Sequence, residues 1–252
     1  MADNVNDQTN TPHILLLPGF MLDARLWDDV HTGLSELGQL SFGNITQDDS
    51  LEAMAKRVLL NAPPRFVLVG FSMGGYVAQW VYKFAPERVI ALVFMNTSAH
   101  QQSAAEVAQT QAQIELAKQY PFKGLTKRAL ALSVDPDRTS DQMLLNRLQT
   151  MAIDNGKDVF IRQLSAMRND GYEDLQKIQC PTLIIASRND QMRSVAESQQ
   201  MADRIPKSQM VVMEHCGHMT PLEKPTELLE VLSSWFNENV EQTHVKDYAD
   251  FA

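Results

Sequence analysis

Gly70-Phe71-Ser72-Met73-Gly74 stands between an apolar run, Phe66 to Val69, and a stretch of helical character, Gly75 to Phe84. The run is short enough to be a buried strand, so the serine falls on a tight strand-to-helix turn. Glycine two positions before and two positions after it lets the two backbones approach closely. The strain of the turn lifts the hydroxyl above the sheet edge instead of burying it. Ser72 is therefore the first candidate for chemistry.

Outward from this turn the chain alternates in the same manner. Apolar runs at His13 to Leu17, Val89 to Met95, Thr182 to Ala186 and Gln209 to Met213 predict strands, with Leu40 to Ile45 a weaker one. Between them, helical spacing predicts helices over Leu26 to Leu37, Leu51 to Leu60 behind the cap Ser50, Tyr76 to Phe84, Val195 to Arg204 and Pro225 to Phe236. From about 100 to 175 no strand-like run occurs. Ser140 reads as the cap of a helix Met143 to Ala152, Asn155-Gly156 as its stop, and Asp158 to Met167 as a further helix. The expected class is α/β: an open, mostly parallel, doubly wound sheet, built from 1–99 and 176–252 and interrupted once by a helical insertion, 100–175.

The 252 residues are 44% hydrophobic, enough for one large core. Twenty-two basic against thirty-one acidic residues leave a net charge of -9, which repels phosphate backbones and anionic lipid surfaces, so neither nucleic acid nor a membrane is an expected partner. The polar start has no signal-like character and no long apolar stretch follows, so a cytoplasmic location is expected. Cys180 and Cys216 are too few for a disulfide framework or a four-ligand zinc site, and read as free thiols near opposite ends of a parallel sheet. His13, His31, His100 and His244 show no ligand spacing; no metal and no cofactor are expected. In the polar tail from Asn239, Tyr248 and Phe251 are apolar enough to dock on the body or on a second copy, which keeps a homodimer open.

A serine hydroxyl needs a base to take its proton and a third group to orient that base. His218 follows one predicted strand and Asp190 the strand before it, so both fall at the carboxyl edge of the sheet, as Ser72 does. His215 is the neighbouring decoy, and Asn96, after the fourth strand, is uncharged and unsuited to the acid role. Backbone N–H groups of Met73, directly after the serine, and Phe20, in the loop after the first strand, are placed to receive a developing oxyanion. Phe20, Met21, Met73 and Met219 are the expected pocket lining; Cys216 reads as packing, and Glu223 as a partner of Lys224 or a helix cap without chemistry.

These segments together resemble the α/β-hydrolase superfamily over nearly the whole chain. The matching pieces are 15–20, 70–75, 85–89, 180–185 and Gly217 to Pro225. The resemblance implies Ser72 as nucleophile, Asp190 as acid, His218 as base and 100–175 as a helical cap. It implies hydrolysis of a small to medium carboxylic ester or lactone through an acyl-enzyme. Relatives with the same three groups also include cofactor-free perhydrolases and C–C bond hydrolases, and a slow-turnover, receptor-like binding protein is a further alternative. The chain departs from the family pattern in having Pro18-Gly19 where His-Gly is common, in lacking a first hairpin, and in the short segment after Leu40.

Overall fold

The computed structural model describes residues 11–240. Six strands form one parallel sheet: β1 (His13–Leu17), β2 (Gln39–Phe42), β3 (Phe66–Phe71), β4 (Val89–Met95), β5 (Thr182–Ser187) and β6 (Ser208–Met213), in the order β2-β1-β3-β4-β5-β6. The chain steps from β1 to β2 on one side and then returns to place β3 on the other side of β1. The crevice at the carboxyl ends of β1 and β3 is therefore the point where the winding reverses, the usual place for a ligand in an open α/β sheet.

The central strands are apolar throughout because both faces are covered. Ile14, Leu16, Val67, Val69, Phe71, Val93 and Met95 pack on one side, with Trp27, Val30 and Leu34 and with Leu228, Leu232 and Trp235. Leu15, Leu17, Phe66, Leu68, Leu92 and Phe94 point the other way, onto Met54, Val58, Val77 and Val81. Alternation along each strand sends successive side chains to opposite layers.

The helices are α1 (His31–Leu37), α2 (Leu51–Asn61), α3 (Met73–Phe84), α4 (Ala104–Gln119), α5 (Lys127–Leu132), α6 (Gln142–Ser165), α7 (Tyr172–Leu175), α8 (Val195–Ala202), α9 (Thr220–Glu223) and α10 (Pro225–Asn239). Several differ from the sequence reading for local reasons. The segment expected as one helix over 26–37 is a 3-10 helix, Ala24–Val30, capped by Asp23, followed by α1; both present the same apolar stripe. The second strand is shorter than expected and ends at Phe42. The two helices expected around Gly156 form a single run, α6, broken at Gly156 with φ 79°, a backbone conformation that suits glycine. Its cap is Asp141, whose side chain accepts from the Leu144 N–H, not Ser140. Between β4 and β5 every regular element is helical. Tyr248 and Phe251 lie outside the described residues.

Candidate active site

β3 runs two residues beyond the expected Val69, so Ser72 follows it directly and α3 begins at Met73. Ser72 has φ 50°, in the left-handed region that non-glycine residues rarely occupy. Three bonds hold it there. Its N–H donates to Met95 O at 2.9 Å, its carbonyl accepts from the Thr97 hydroxyl at 2.8 Å, and the same carbonyl takes the Gly75 N–H at 2.9 Å. The glycines are required by space. A Cβ on Gly70 would lie 2.7 Å from Gly74 O, and one on Gly74 would lie 2.5 Å from the carbonyl oxygens of both Leu17 and Pro18. Gly74 is thus where the turn bearing Ser72 abuts the loop after β1.

Asp190 and His218 reach the same point from the loops after β5 and β6. His218 Nε2 is 2.8 Å from Ser72 Oγ, and His218 Nδ1 is 2.6 Å from Asp190 Oδ2. The side chains of His218 and Asp190 are 2% and 0% exposed, so little solvent competes for these bonds. The other oxygen of Asp190 accepts from the N–H groups of Met192 and Arg193, at 2.7 and 2.9 Å. That leaves one carboxylate oxygen for the imidazole and fixes its direction. His215 is exposed and takes no part.

Two buried side chains to which the sequence assigns no chemistry hold the histidine loop. Asn96, at the end of β4 with φ 46°, donates from its amide to His218 O and Thr220 Oγ1, each at 2.7 Å, and Ser187 Oγ donates to its carbonyl oxygen at 3.2 Å. Glu223 does not pair with Lys224, whose ammonium goes to Glu227, nor does it cap α10. It accepts from Met219 N–H at 2.9 Å and, with its second oxygen, from Asp135 N–H at 2.7 Å. Burial pushes its pKa above the usual carboxylate value, an effect that these N–H donors oppose. Through Glu223 the helical insertion is bonded to the histidine loop. Gln163 of α6 bonds the insertion to the loop after β1 instead, accepting from Met21 N–H at 2.8 Å beside Phe20.

Two cavities meet at Ser72. The larger, about 590 Å³, is walled mainly by the insertion, with Leu116, Phe122, Leu125 and Phe160 on its sides and Phe20, His218 and Met219 at its base. The smaller, about 190 Å³, is bordered by Phe20, Met73, Tyr76, Arg168 and Arg193. Of the four residues expected to line the pocket, Phe20 and Met219 border the larger cavity and Met73 the smaller. Met21 borders neither: with φ 55° it turns inward and is fully buried in a cluster with Ala152 and Val159. Cys216 is buried and unpaired, and burial pushes its thiol up to about 11, far from thiolate at neutral pH. Cys180, partly exposed and free, is likewise pushed up to about 11. Among the described residues no group of three or more His, Cys, Asp or Glu is placed to hold a metal, and no helix is long and apolar enough to cross a membrane.

The chain is similar to several known hydrolases. The chain is 25% identical over 251 residues to a pimeloyl-[acyl-carrier protein] methyl ester esterase of Nitrosomonas europaea, covering 87% of this chain and 94% of that one. It is 26% identical over 164 residues to 3-oxoadipate enol-lactonase 2 of Acinetobacter baylyi, covering 64% and 60%. A thermophilic esterase of Thermogutta terrifontis superposes with a TM-score of 0.82 at 24% identity, over 92% of this chain and 90% of that one. The profile of the family described as alpha/beta hydrolase fold matches residues 12–225, and the chain belongs to that family.

Proposed function

We propose that the protein is a serine hydrolase that cleaves a carboxylic ester or lactone of small to medium size through an acyl-enzyme on Ser72. The observation that carries this reading is the unbroken contact from Ser72 Oγ to His218 Nε2 and from His218 Nδ1 to Asp190 Oδ2, at the junction of two cavities. His218 takes the hydroxyl proton as Oγ attacks the carbonyl carbon, and Asp190 holds the ring tautomer and balances the imidazolium. The carbonyl oxygen, now an anion, is received by the N–H groups of Phe20 and Met73. Collapse breaks the bond to the alkoxide, which takes the proton from His218; water then adds to the acyl-enzyme with His218 as base and frees Ser72. Each proton and electron pair is accounted for by these groups, so the reading calls for no cofactor. Residues 100–175 act as the cap and supply most of the wall of the larger cavity.

A fluorophosphonate tests the assignment. One equivalent should attach to Ser72 and abolish turnover of a panel of p-nitrophenyl esters and lactones. A label on Cys216, or full ester turnover by Ser72→Ala, would refute it. Turnover of a vinylogous diketone far above that of every ester would transfer the same groups to C–C bond cleavage.

A further inference from the structure

The smaller cavity holds an asymmetry that ester cleavage alone does not explain. Arg168, from the segment after α6, and Arg193, from the loop that carries Asp190, both border it together with Ser72. Their guanidinium groups share the ring of the buried Tyr76, at 5.4 and 5.7 Å from its centroid. Two like charges are thus held on one aromatic ring. Burial lowers the Arg168 pKa, and the charge of Arg193 adds to the effect.

The acceptors nearby are already committed. Glu106 gives one oxygen to Arg168 Nη2 at 2.8 Å and the other to Ser103 N–H. Glu197, which also acts on Arg168 through its charge, is held at the start of α8 by Ser194. Arg193 donates to the Met192 carbonyl and makes no ion pair among the described residues. The Nε atoms of both arginines are buried without a hydrogen-bond partner. Both side chains are only partly buried at the cavity wall, and the bonds to Glu106 and Met192 satisfy only part of a guanidinium's five N–H donors, so an acceptor entering the cavity would meet unmatched donors. Because Glu106 and Glu197 offset much of the charge, the deficit is one of acceptors more than of negative charge. A planar monoanion with two oxygens, a carboxylate, fits that deficit better than a dianionic phosphate.

Which half of the substrate carries it follows from His218. That residue hands its proton to the leaving oxygen, so the leaving group faces the cavity His218 borders, the large apolar one. The acyl half is then left to the smaller cavity, beside Met73. We propose that the arginine-lined cavity binds a carboxylate at the far end of a short acyl chain, making the preferred substrate a dicarboxylic acid half-ester of an apolar alcohol. This deepens the serine-hydrolase reading and rests on it.

Monohexyl glutarate, hexyl pentanoate and the hexyl ester of glutaramic acid share an alcohol and an acyl length and differ in terminal charge. The half-ester should exceed both neutral esters at least tenfold in kcat/KM, through KM. That ratio should fall toward one in Arg168→Gln/Arg193→Gln. Glutarate should also bind the full chain carrying Ser72→Ala, with glutaramide and inorganic phosphate binding at least tenfold more weakly, so the site is readable without turnover. Equal or better use of the neutral esters, a preference that survives the double substitution, tighter binding of phosphate, or no binding of glutarate would each overturn the proposal. If no ester is turned over, the hydrolase reading falls on its own, and glutarate binding alone decides the cavity.

Discussion

The side-chain amide of Asn96 donates to the carbonyl oxygen of His218 at 2.7 Å, tying the end of β4 to the loop after β6 across 122 residues of sequence. Because the same amide reaches Thr220 Oγ1, one buried side chain fixes the backbone on which the imidazole stands. Asn96→Ala leaves His218 O and Thr220 Oγ1 short of a donor, which costs roughly 1 to 3 kcal/mol for a buried polar group. Chemical denaturation should show that loss. In kinetics, kcat should fall more than KM rises, since the ring loses its placement while the cavities keep their shape.

Gly74 faces a different constraint. A Cβ added there would collide with the carbonyls of Leu17 and Pro18, and backbone cannot retreat as a flexible side chain can. Gly74→Ala should push the loop after β1 away from Ser72, at a cost of about 1 to 3 kcal/mol for overpacking. If Phe20 N–H serves the oxyanion, its displacement should lower kcat by about 10²- to 10³-fold with a smaller change in KM. Steady-state kinetics beside a melting curve separates the two losses. Unchanged kcat in a destabilised variant would remove Phe20 from the proposed oxyanion site.

These contacts also show what was legible beforehand. β3, β4 and β5 could be drawn from the chain because burial on both faces writes them as unbroken apolar runs, and Ser72 and Asp190 stand shortly after β3 and β5, as His218 does after the half-buried edge strand β6. Asp141 and Ser140 are adjacent polar residues, and only geometry decides which one caps α6. The break at Gly156 reads as a stop because a glycine kink and a helix end carry the same local signal. Met21 reads as pocket lining from its place in the loop after the first strand, but with φ 55° it packs into the buried cluster of Ala152 and Val159. Asn96, Glu223 and Gln163 were out of reach for another reason: their partners lie 122, 88 and 142 residues away, and no local pattern records such pairings.

Glu223 makes a prediction about pH. Its burial raises the folded-state pKa above the ordinary 4.5, so the folded chain holds that proton more tightly than the unfolded chain. The stability it contributes is fully present below 4.5 and is lost as pH rises through the raised value. Glu223→Gln cannot titrate, and it offers one acceptor oxygen where Met219 and Asp135 need two. The variant should be less stable than the parent, by about 1 to 3 kcal/mol for the unpaired N–H, with a gap that narrows as pH rises through this window. Ion-paired carboxylates such as Asp174, held low by Lys177 and Lys83, titrate in the opposite sense and cancel in the difference. Parallel unfolding curves from pH 4 to 8 provide the check; a gap that widens with pH would contradict the buried carboxylate.

The three reactive groups are expected to act as a unit. Ser72→Ala and His218→Ala should lose comparably large factors in kcat, and the double variant little more, because the hydroxyl is inert without its base. Asp190→Asn should lose about 10⁴-fold, since an amide in place of Oδ2 favours the wrong imidazole tautomer. His215→Ala should be nearly silent, its ring being exposed and outside the contact chain. A loss at His215 matching that at His218 would reassign the base.

Gln163 separates placement from plain stability. Buried at 3% exposure, it accepts from Met21 N–H and donates to Ile45 O at 3.3 Å, joining α6 to the loop after β1 and to the segment after β2. Gln163→Leu keeps much of the volume and strands both backbone groups, so the melting temperature and kcat should fall together. Gln163→Glu restores an acceptor for Met21 but sets a carboxylate oxygen against the Ile45 carbonyl. It should recover kcat more than it recovers melting temperature if the bond to Met21 positions Phe20. Equal recovery of both would reduce Gln163 to a structural brace.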